Sequence, residues 1–171
     1  DGLGHGQPEC SLHVRMSFEW GLRDFPGQDT NFATGCNIGL AEGAMADIGI
    51  GLVGGGYMGK AHAVALSAVA AVFDTPLRPR LEVIAATTAR SAERYARACG
   101  FVRATADWRD LVADPKVQAV VIASPQSTHR AIAEAAFAAG KPVFCEKPLG
   151  ASLQDARAMV AHAQVHLVGR R

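Results

Sequence analysis

The sequence predicts an α/β protein with a doubly wound parallel sheet. From residue 45 onward, short runs that are apolar throughout alternate with alanine-rich segments of helical periodicity. The first apolar run leads directly into a glycine-rich turn, and a helix pattern follows that turn. Because β–α–β crossovers are right-handed, this repetition builds a sheet with helices on both faces. In such sheets a ligand binds beyond the carboxyl ends of the strands.

Length and charge narrow the classes of function. The chain has 171 residues, a length that suits one domain of ordinary size. Its 17 Lys and Arg residues and 16 Asp and Glu residues give a formal net charge of +1, without a basic stripe. This balance predicts neither a nucleic-acid partner nor a membrane partner. No segment reaches the ~18 apolar residues of a membrane span, and the four cysteines lack metal-ligand spacing. We therefore expect a soluble cytoplasmic protein without a metal site.

Residues 1–44 differ in character from the rest of the chain. They are rich in Gly, with scattered His and isolated aromatic residues, and show no sustained strand or helix periodicity. Met45 stands just before the first predicted strand, where a chain would naturally begin. We expect residues 1–44 to be an irregular extension without a core of its own. Two explanations stay open for it: sequence that is not native to the protein, and a disordered natural extension.

The first unit of the predicted sheet carries a phosphate-binding motif. The strand IGIGLV begins at Ile48, and Gly54, Gly56 and Gly59 after it satisfy G-x-G-x-x-G, with a helix expected from Gly59. The first glycine permits a tight turn, the second lets a pyrophosphate approach the backbone, and the third allows close helix–strand packing. Glycine-rich turns also occur for packing reasons only. The strand before the turn and the helix after it favour a dinucleotide.

The later units repeat the same alternation of strand and helix. We expect further strands at LEVIAAT (81–87), AVVIASP (119–125) and PVFC (142–145). Helices are expected at SAERYARAC with Ser91 as N-cap and Gly100 at the end, at 128–139 with Gly140 at the end, and at SLQDARAMVAHA with Ser152 and Asp155 as capping pair. Three strand ends, marked by Gly54, Pro125 and Lys147, then converge on one crevice.

The order of these motifs resembles the N-terminal domain of the glucose-fructose oxidoreductase, inositol dehydrogenase and rhizopine-catabolism family, written Gfo/Idh/MocA. The resemblance spans residues 45–163 and is carried by IGLVGGGYMGKAH, DWRDLVADPKVQAVVIAS and VVIASPQSTHRAIAEAAFAAGKPVFCEKPL. It implies a Rossmann dinucleotide-binding domain and an NAD(P)-dependent oxidoreductase that acts on a sugar, a polyol or a related hydroxyl compound. Its motifs imply cofactor contacts from Gly54, Gly56, Gly59, Pro125, Gln126, His129, Glu146 and Lys147. The residues themselves add Ser124, Thr88 and Arg90 to this candidate set, together with Tyr57 and Met58, which are expected only to pack near the cofactor.

Within this set, Lys147 is the candidate catalytic residue; it lies in the E-K-P element, residues 146–148. An ammonium at a strand end can hydrogen-bond the alcohol that loses its hydride and stabilise developing negative charge. The alternative is a solvated charge paired with Glu146, which is otherwise expected to orient the lysine or meet the cofactor ribose. His129 either contacts the cofactor loop or caps its helix and satisfies backbone groups, and we favour the second. His62 is expected to be a packing or surface histidine.

Two departures from the family pattern bear on the cofactor. An acidic residue usually ends the second strand and binds the adenosine ribose, but Thr87, Thr88 and Ala89 stand there. Arg90 follows and can give charge-assisted contacts to a 2′-phosphate. This favours NADP over NAD. The second departure is Gln126, where asparagine is the more familiar residue.

The last residues of the chain bear on whether the family's second domain is present. In the family, a separate C-terminal α/β domain supplies the substrate pocket and an Asp-x-x-x-His pair. Residues 164–171 form only a short tail, in which VHLVG could be a truncated sixth strand. We therefore expect a fragment that is inactive alone and that exposes apolar surface, which favours homo-oligomers. A non-catalytic nucleotide-binding module is the alternative function, and a methyltransferase with a similar turn is a more distant one.

Overall fold

The computed structural model describes residues 46–168, with side chains described through residue 165. The extension expected over residues 1–44 lies outside the described residues. None of the helices within the described range is long and apolar enough to cross a membrane.

Strands and helices alternate strictly along the described part of the chain. In order they are β1 (Ala46–Val53), α1 (Tyr57–Val72), β2 (Leu77–Ala85), α2 (Ala89–Cys99), β3 (Arg103–Thr105), α3 (Trp108–Ala113), β4 (Ala119–Ile122), α4 (Gln126–Ala138), β5 (Val143–Cys145) and α5 (Leu153–Val168). Each of the later strands is reached through at least one helix, as a parallel sheet requires.

The five strands form one parallel sheet in the order β3-β2-β1-β4-β5. This confirms the predicted doubly wound sheet. The chain reverses its direction of winding between β1 and β4, which creates a crevice at their carboxyl ends. The pairing register puts Ala85, Val53, Ile122 and Cys145 in one row across β2, β1, β4 and β5. The residues that follow this row therefore share one edge of the sheet.

The sheet has a hydrophobic core on each face. One core joins the strands to α3, α4 and α5 through Leu111, Ile132 and Met159. The other joins them to α1 and α2 through Ala63 and Ala96, which pack with Leu52 and Ile84. Because successive side chains of a strand point to opposite faces, an apolar run fills both cores at once.

Several element boundaries differ from those expected. Helix α1 begins at Tyr57 rather than Gly59, so Gly59 lies in its first turn. The predicted Ser91 N-cap of α2 is wrong. Thr88 is the N-cap, and its hydroxyl accepts from the Ser91 backbone N–H at 3.2 Å. The hydroxyl of Ser91, the third helical residue, accepts from the Thr88 backbone N–H at 3.3 Å. Gly100 ends α2 in the left-handed region, with φ 81°, as expected.

The C-terminal segment is helical rather than extended. Residues 165–168, which could have been a sixth strand, continue α5. The sequence has no Gly or Pro between Leu153 and Gly169, so nothing in the chain stops the helix earlier. The Ser152 and Asp155 pair opens α5 as expected, with the Asp155 backbone N–H donating to the Ser152 hydroxyl at 3.1 Å.

A buried carboxylate links β2 to β3 on the side of the fold away from the glycine turn. Glu82 is 3% exposed, with Oε1 2.6 Å from Nε of Arg80 and Oε2 3.5 Å from Nη2 of Arg103. Arg103 also pairs with Asp114, and this hydrogen bond holds the pKa of the Asp114 carboxyl below its usual range. Because a buried charge without partners is costly, these pairs fix the edge of the sheet.

Candidate functional site

The glycine turn between β1 and α1 has the conformation that its motif predicts. Gly54 has φ 104°, a left-handed value that favours glycine. Its N–H donates to the Ala85 carbonyl at 2.9 Å, which continues the sheet for one residue. Gly59 is buried, and a Cβ built on it would lie 1.9 Å from the Gly54 carbonyl oxygen. The missing side chain of Gly59 therefore lets α1 rest directly on the turn.

Gly56 stands in open space at the mouth of α1. It is the N-cap of the helix, and a Cβ built on it would meet no atom within 4 Å. The first backbone bond of the helix runs from the Lys60 N–H to the Gly56 carbonyl at 3.1 Å. The N–H groups before Lys60 therefore have no intrahelical acceptor, and the first turn has no acidic residue. This open, donor-rich cradle fits a pyrophosphate.

The side chains next to the cradle leave it accessible. Tyr57 is 86% exposed and Met58 is 37% exposed, so neither fills the space above the glycines. Gly55 packs against Tyr95 of α2, since a Cβ on Gly55 would lie 2.1 Å from the ring. Lys60 Nζ and the Arg94 guanidinium lie 5.7 Å and 5.0 Å from the centre of that ring. No pattern in the sequence indicated this contact between distant positions.

At the start of α2, Thr88 and Arg90 lie where the adenosine ribose was expected. The Thr88 hydroxyl caps α2 and also contacts the Ser91 hydroxyl at 2.9 Å. Arg90 is exposed as the second residue of the helix. Among the described residues, no carboxylate forms an ion pair with Arg90. Its guanidinium is therefore available to an anionic ligand.

The loop after β4 lies against the glycine turn. A Cβ on Gly54 would meet the Ala123 carbonyl oxygen at 2.5 Å, so the two loops touch through their backbones. Pro125 precedes α4, and the exposed Gln126 is its first residue. The Ser124 hydroxyl contacts the Thr128 hydroxyl at 2.7 Å. The structure thus places Ser124, Pro125 and Gln126 beside the cradle.

His129 lies beneath this loop. It is 1% exposed, with Nε2 2.8 Å from the Ser124 carbonyl oxygen and Nδ1 3.3 Å from the Leu149 carbonyl oxygen. Because both ring nitrogens face protein carbonyls, His129 can influence a ligand only through the two loops it joins. The ring thus satisfies backbone groups, which was one part of the favoured expectation for His129. It does not cap α4, because Pro125 is the N-cap of that helix.

The E-K-P element continues from β5 at the same edge of the sheet. The Glu146 N–H donates to the Ile122 carbonyl at 2.9 Å, and the Lys147 N–H donates to Oε2 of Glu146 at 3.1 Å. Lys147 itself is exposed at the mouth of the crevice. Glu146 therefore fixes the backbone of the lysine. Partial burial raises the pKa of the neighbouring Cys145 thiol to about 11, so this thiol stays protonated.

The second carboxylate oxygen of Glu146 meets a residue that the sequence did not single out for the site. His62 Nε2 lies 2.7 Å from Oε1 of Glu146. His62 follows Gly59 by three positions, and positions three apart share one face of a helix. The sequence predicted only a packing or surface histidine at this position, and nothing in it showed that Glu146 lies opposite.

Comparisons with known proteins agree with this geometry. Residues 48–168 match a family described as oxidoreductase family, NAD-binding Rossmann fold. Levoglucosan dehydrogenase of Pseudarthrobacter phenanthrenivorans is 42% identical over 116 residues, which is 67% of this chain and 30% of that protein. Inositol 2-dehydrogenase 1 of Saccharopolyspora erythraea is 42% identical over 119 residues, 66% of this chain and 32% of that protein. The chain thus spans about a third of the length of these relatives.

Solved structures of oxidoreductases also match the described domain. A levoglucosan dehydrogenase in complex with NADH and levoglucosan matches with a TM-score of 0.68 and 40% identity, over 70% of this chain and 32% of that one. An NAD binding oxidoreductase from Klebsiella pneumoniae matches with a TM-score of 0.68 and 45% identity, over 71% of this chain and 32% of that one. The chain therefore belongs to the Gfo/Idh/MocA oxidoreductase family and contains its NAD-binding Rossmann domain, as the motifs predicted.

Proposed function

We propose that the whole protein transfers a hydride between a nicotinamide dinucleotide and a hydroxyl group of a sugar or polyol. The observation that carries this proposal is the open cradle at Gly56, which lies on the same sheet edge as Lys147. Relatives named levoglucosan dehydrogenase and inositol 2-dehydrogenase support the substrate class.

The assignment of residues to the cofactor follows from their places along the crevice. We assign the pyrophosphate to the backbone N–H groups after Gly56, between Gly54 and Gly59, with Tyr57 and Met58 at its side. Ser124, Pro125 and Gln126 border the half of the crevice that leads towards β5. A dinucleotide that has its pyrophosphate at Gly56 and extends along this half of the crevice has its nicotinamide near Lys147. Glu146 and His129 take part indirectly, because they hold the two loops in place.

Lys147 is the proposed catalytic residue. When bound, the nicotinamide ring gives or takes the hydride. The exposed ammonium of Lys147 can donate a hydrogen bond to the substrate hydroxyl oxygen. In the reduction direction, the hydride adds to the substrate carbonyl carbon and this ammonium donates a proton to the oxygen on which negative charge develops; oxidation of the hydroxyl group is the reverse of this step. A fixed position is required, because catalysis depends on holding the reacting groups in productive geometry.

Replacement of Lys147 tests the activity. In the whole protein, Lys147→Ala is expected to lower kcat/KM for levoglucosan or inositol by roughly 10²–10⁴, the usual range for loss of a general acid or base. The affinity for NADH should change by less than about threefold, because the ammonium faces the substrate. Lys116→Ala, at an exposed position far from the crevice, is the matched control. An unchanged kcat/KM in Lys147→Ala would refute the catalytic assignment.

We further propose that the domain prefers NADP to NAD. Arg90 is exposed at the expected ribose position, and Thr88 stands near it in place of a carboxylate. A carboxylate would repel a 2′-phosphate, whereas a guanidinium binds one. The solved levoglucosan dehydrogenase complex contains NADH. The preference therefore rests on the residues of this chain.

Arg90→Ala measures this preference. We expect NADPH binding to weaken by roughly 1.5–3 kcal/mol, the size of a hydrogen bond to a charged group, and NADH binding to stay nearly unchanged. Nicotinamide fluorescence titrations give both affinities. Arg97→Ala is the control, since Arg97 lies in the last turn of the same helix. An equal loss for both cofactors would show that Arg90 does not meet the 2′-phosphate.

Self-association and cellular location are also part of the proposed function. Exposed apolar side chains near β5 and on α5 support self-association as a homo-oligomer, and they include Phe144, Leu149, Leu153, Val160 and Val165. The cytoplasm is the proposed location, where unpaired thiols such as those of Cys99 and Cys145 stay reduced.

A further inference from the structure

His62 and Glu146 form a contact that joins the cofactor helix to the E-K-P turn. The two residues are 84 positions apart in the chain, yet His62 Nε2 lies 2.7 Å from Oε1 of Glu146. Their side chains are 19% and 13% exposed, so the contact is largely shielded from water. The His62 ring also packs edge-on against Phe144, with 5.1 Å between ring centres. These two contacts hold the imidazole in one orientation.

The carboxylate passes this constraint on to the lysine. Oε2 of Glu146 accepts from the Lys147 backbone N–H at 3.1 Å, while Oε1 meets His62. The hydrogen bond from His62 is the largest influence on Glu146 and holds the pKa of its carboxyl below its usual range, against the effect of partial burial. The group therefore stays ionised near neutral pH, and an ionised carboxylate accepts the stronger hydrogen bonds.

We propose that His62 is a positioning residue for Lys147 and acts through Glu146. Helix α1 then does two things: its first turn forms the cradle, and His62 on the same helix fixes the turn that presents the lysine. Helix α1 therefore holds the backbone of Lys147 in a fixed place relative to the cradle. This inference rests on the proposed catalytic role of Lys147.

Two variants separate the hydrogen bond from the packing of the ring. His62→Phe keeps an aromatic ring against Phe144 but has no N–H to donate to Glu146. His62→Gln gives up the ring but keeps a side-chain N–H at a similar reach. Hydrogen exchange of the Lys147 amide, measured by NMR without any cofactor, reports whether Glu146 still holds this amide. The Ala123 amide, which donates to the Val53 carbonyl at 2.8 Å in the sheet, is the internal control.

We expect His62→Phe to speed exchange of the Lys147 amide by about tenfold, with Ala123 unchanged, and His62→Gln to stay within about threefold of the wild type. In the whole protein, His62→Phe should lower kcat while the NADH affinity changes less than about threefold, and His62→Gln should restore kcat. Unchanged exchange at Lys147 in His62→Phe, or equal acceleration at Ala123, would overturn the inference.

The two proposals can fail separately. If Lys147→Ala retains full activity, the catalytic role of Lys147 fails, whatever the exchange rates show. If Lys147→Ala is inactive but His62→Phe retains the wild-type kcat, the catalytic role stands and the positioning role of His62 fails.

Discussion

Gly59→Ala is expected to destabilise the domain by roughly 2–4 kcal/mol, the upper range for overpacking at a tight contact. A Cβ at this position would lie 1.9 Å from the Gly54 carbonyl oxygen and 3.0 Å from its carbon. Both are backbone atoms of the turn, so no side-chain rotation can relieve the clash. Helix α1 would have to move away from β1, which would disturb the core around Ala63 and Leu52. Urea unfolding followed by circular dichroism, without cofactor, measures the change.

Gly56→Ala is the matched control for this effect. The substitution also adds one methyl group to a glycine of the same motif, but the added Cβ would meet no atom within 4 Å. The backbone there has φ −69°, which alanine adopts freely. We expect its unfolding free energy to stay within about 0.5 kcal/mol of the wild type. Equal stability of Gly59→Ala and Gly56→Ala would contradict the packing role of Gly59.

Most strands of the sheet were predictable because buried strands consist of consecutive apolar residues, which are visible in the local sequence. β1, β2 and β4 have buried segments between two helical layers, so each contains an apolar run. β5 also has an apolar run, although its Phe144 is half exposed. β3 and α3 were not predicted. β3 has only three residues, Arg103–Thr105, at the edge of the sheet, and two of them are polar. Such a short edge strand has no periodicity to detect, and its partner strand determines it.

The cap of α2 shows a second limit of local sequence. Both Thr88 and Ser91 are good N-cap residues, and they stand three positions apart. A capping box uses one of them as N-cap and the other as third helical residue. Only the structure shows that Thr88 takes the first place. The two-residue shift of the α1 start arose similarly, since the motif fixes the glycines but not the first helical residue.

Within the site, the predictable part was the motif and the unpredictable part was the contact between loops. The spacing of Gly54, Gly56 and Gly59 determines the shape of the turn, and this shape follows from steric rules. By contrast, the pairing of His62 with Glu146 and of His129 with Leu149 depends on how whole elements pack. No local periodicity reports such pairing. The same holds for the ring of Tyr95 against the glycine turn.

In the proposed function, the cradle at Gly56 binds the pyrophosphate of a nicotinamide dinucleotide. A methyl group on Gly56 would occupy the space through which phosphate oxygens approach the backbone N–H groups. Loss of one charge-assisted hydrogen bond weakens binding by roughly 1.5–3 kcal/mol, or about 10- to 150-fold. This loss should occur without a loss of stability, which separates Gly56 from Gly59.

NADH titration of the wild type and of Gly56→Ala, followed by nicotinamide fluorescence, tests this binding site. We expect saturable binding of one NADH per wild-type chain. For Gly56→Ala we expect an affinity about 10- to 150-fold lower, with the same unfolding free energy in urea. Failure of the wild type to bind either NADH or NADPH, or equal affinity in the two proteins, would contradict this binding site.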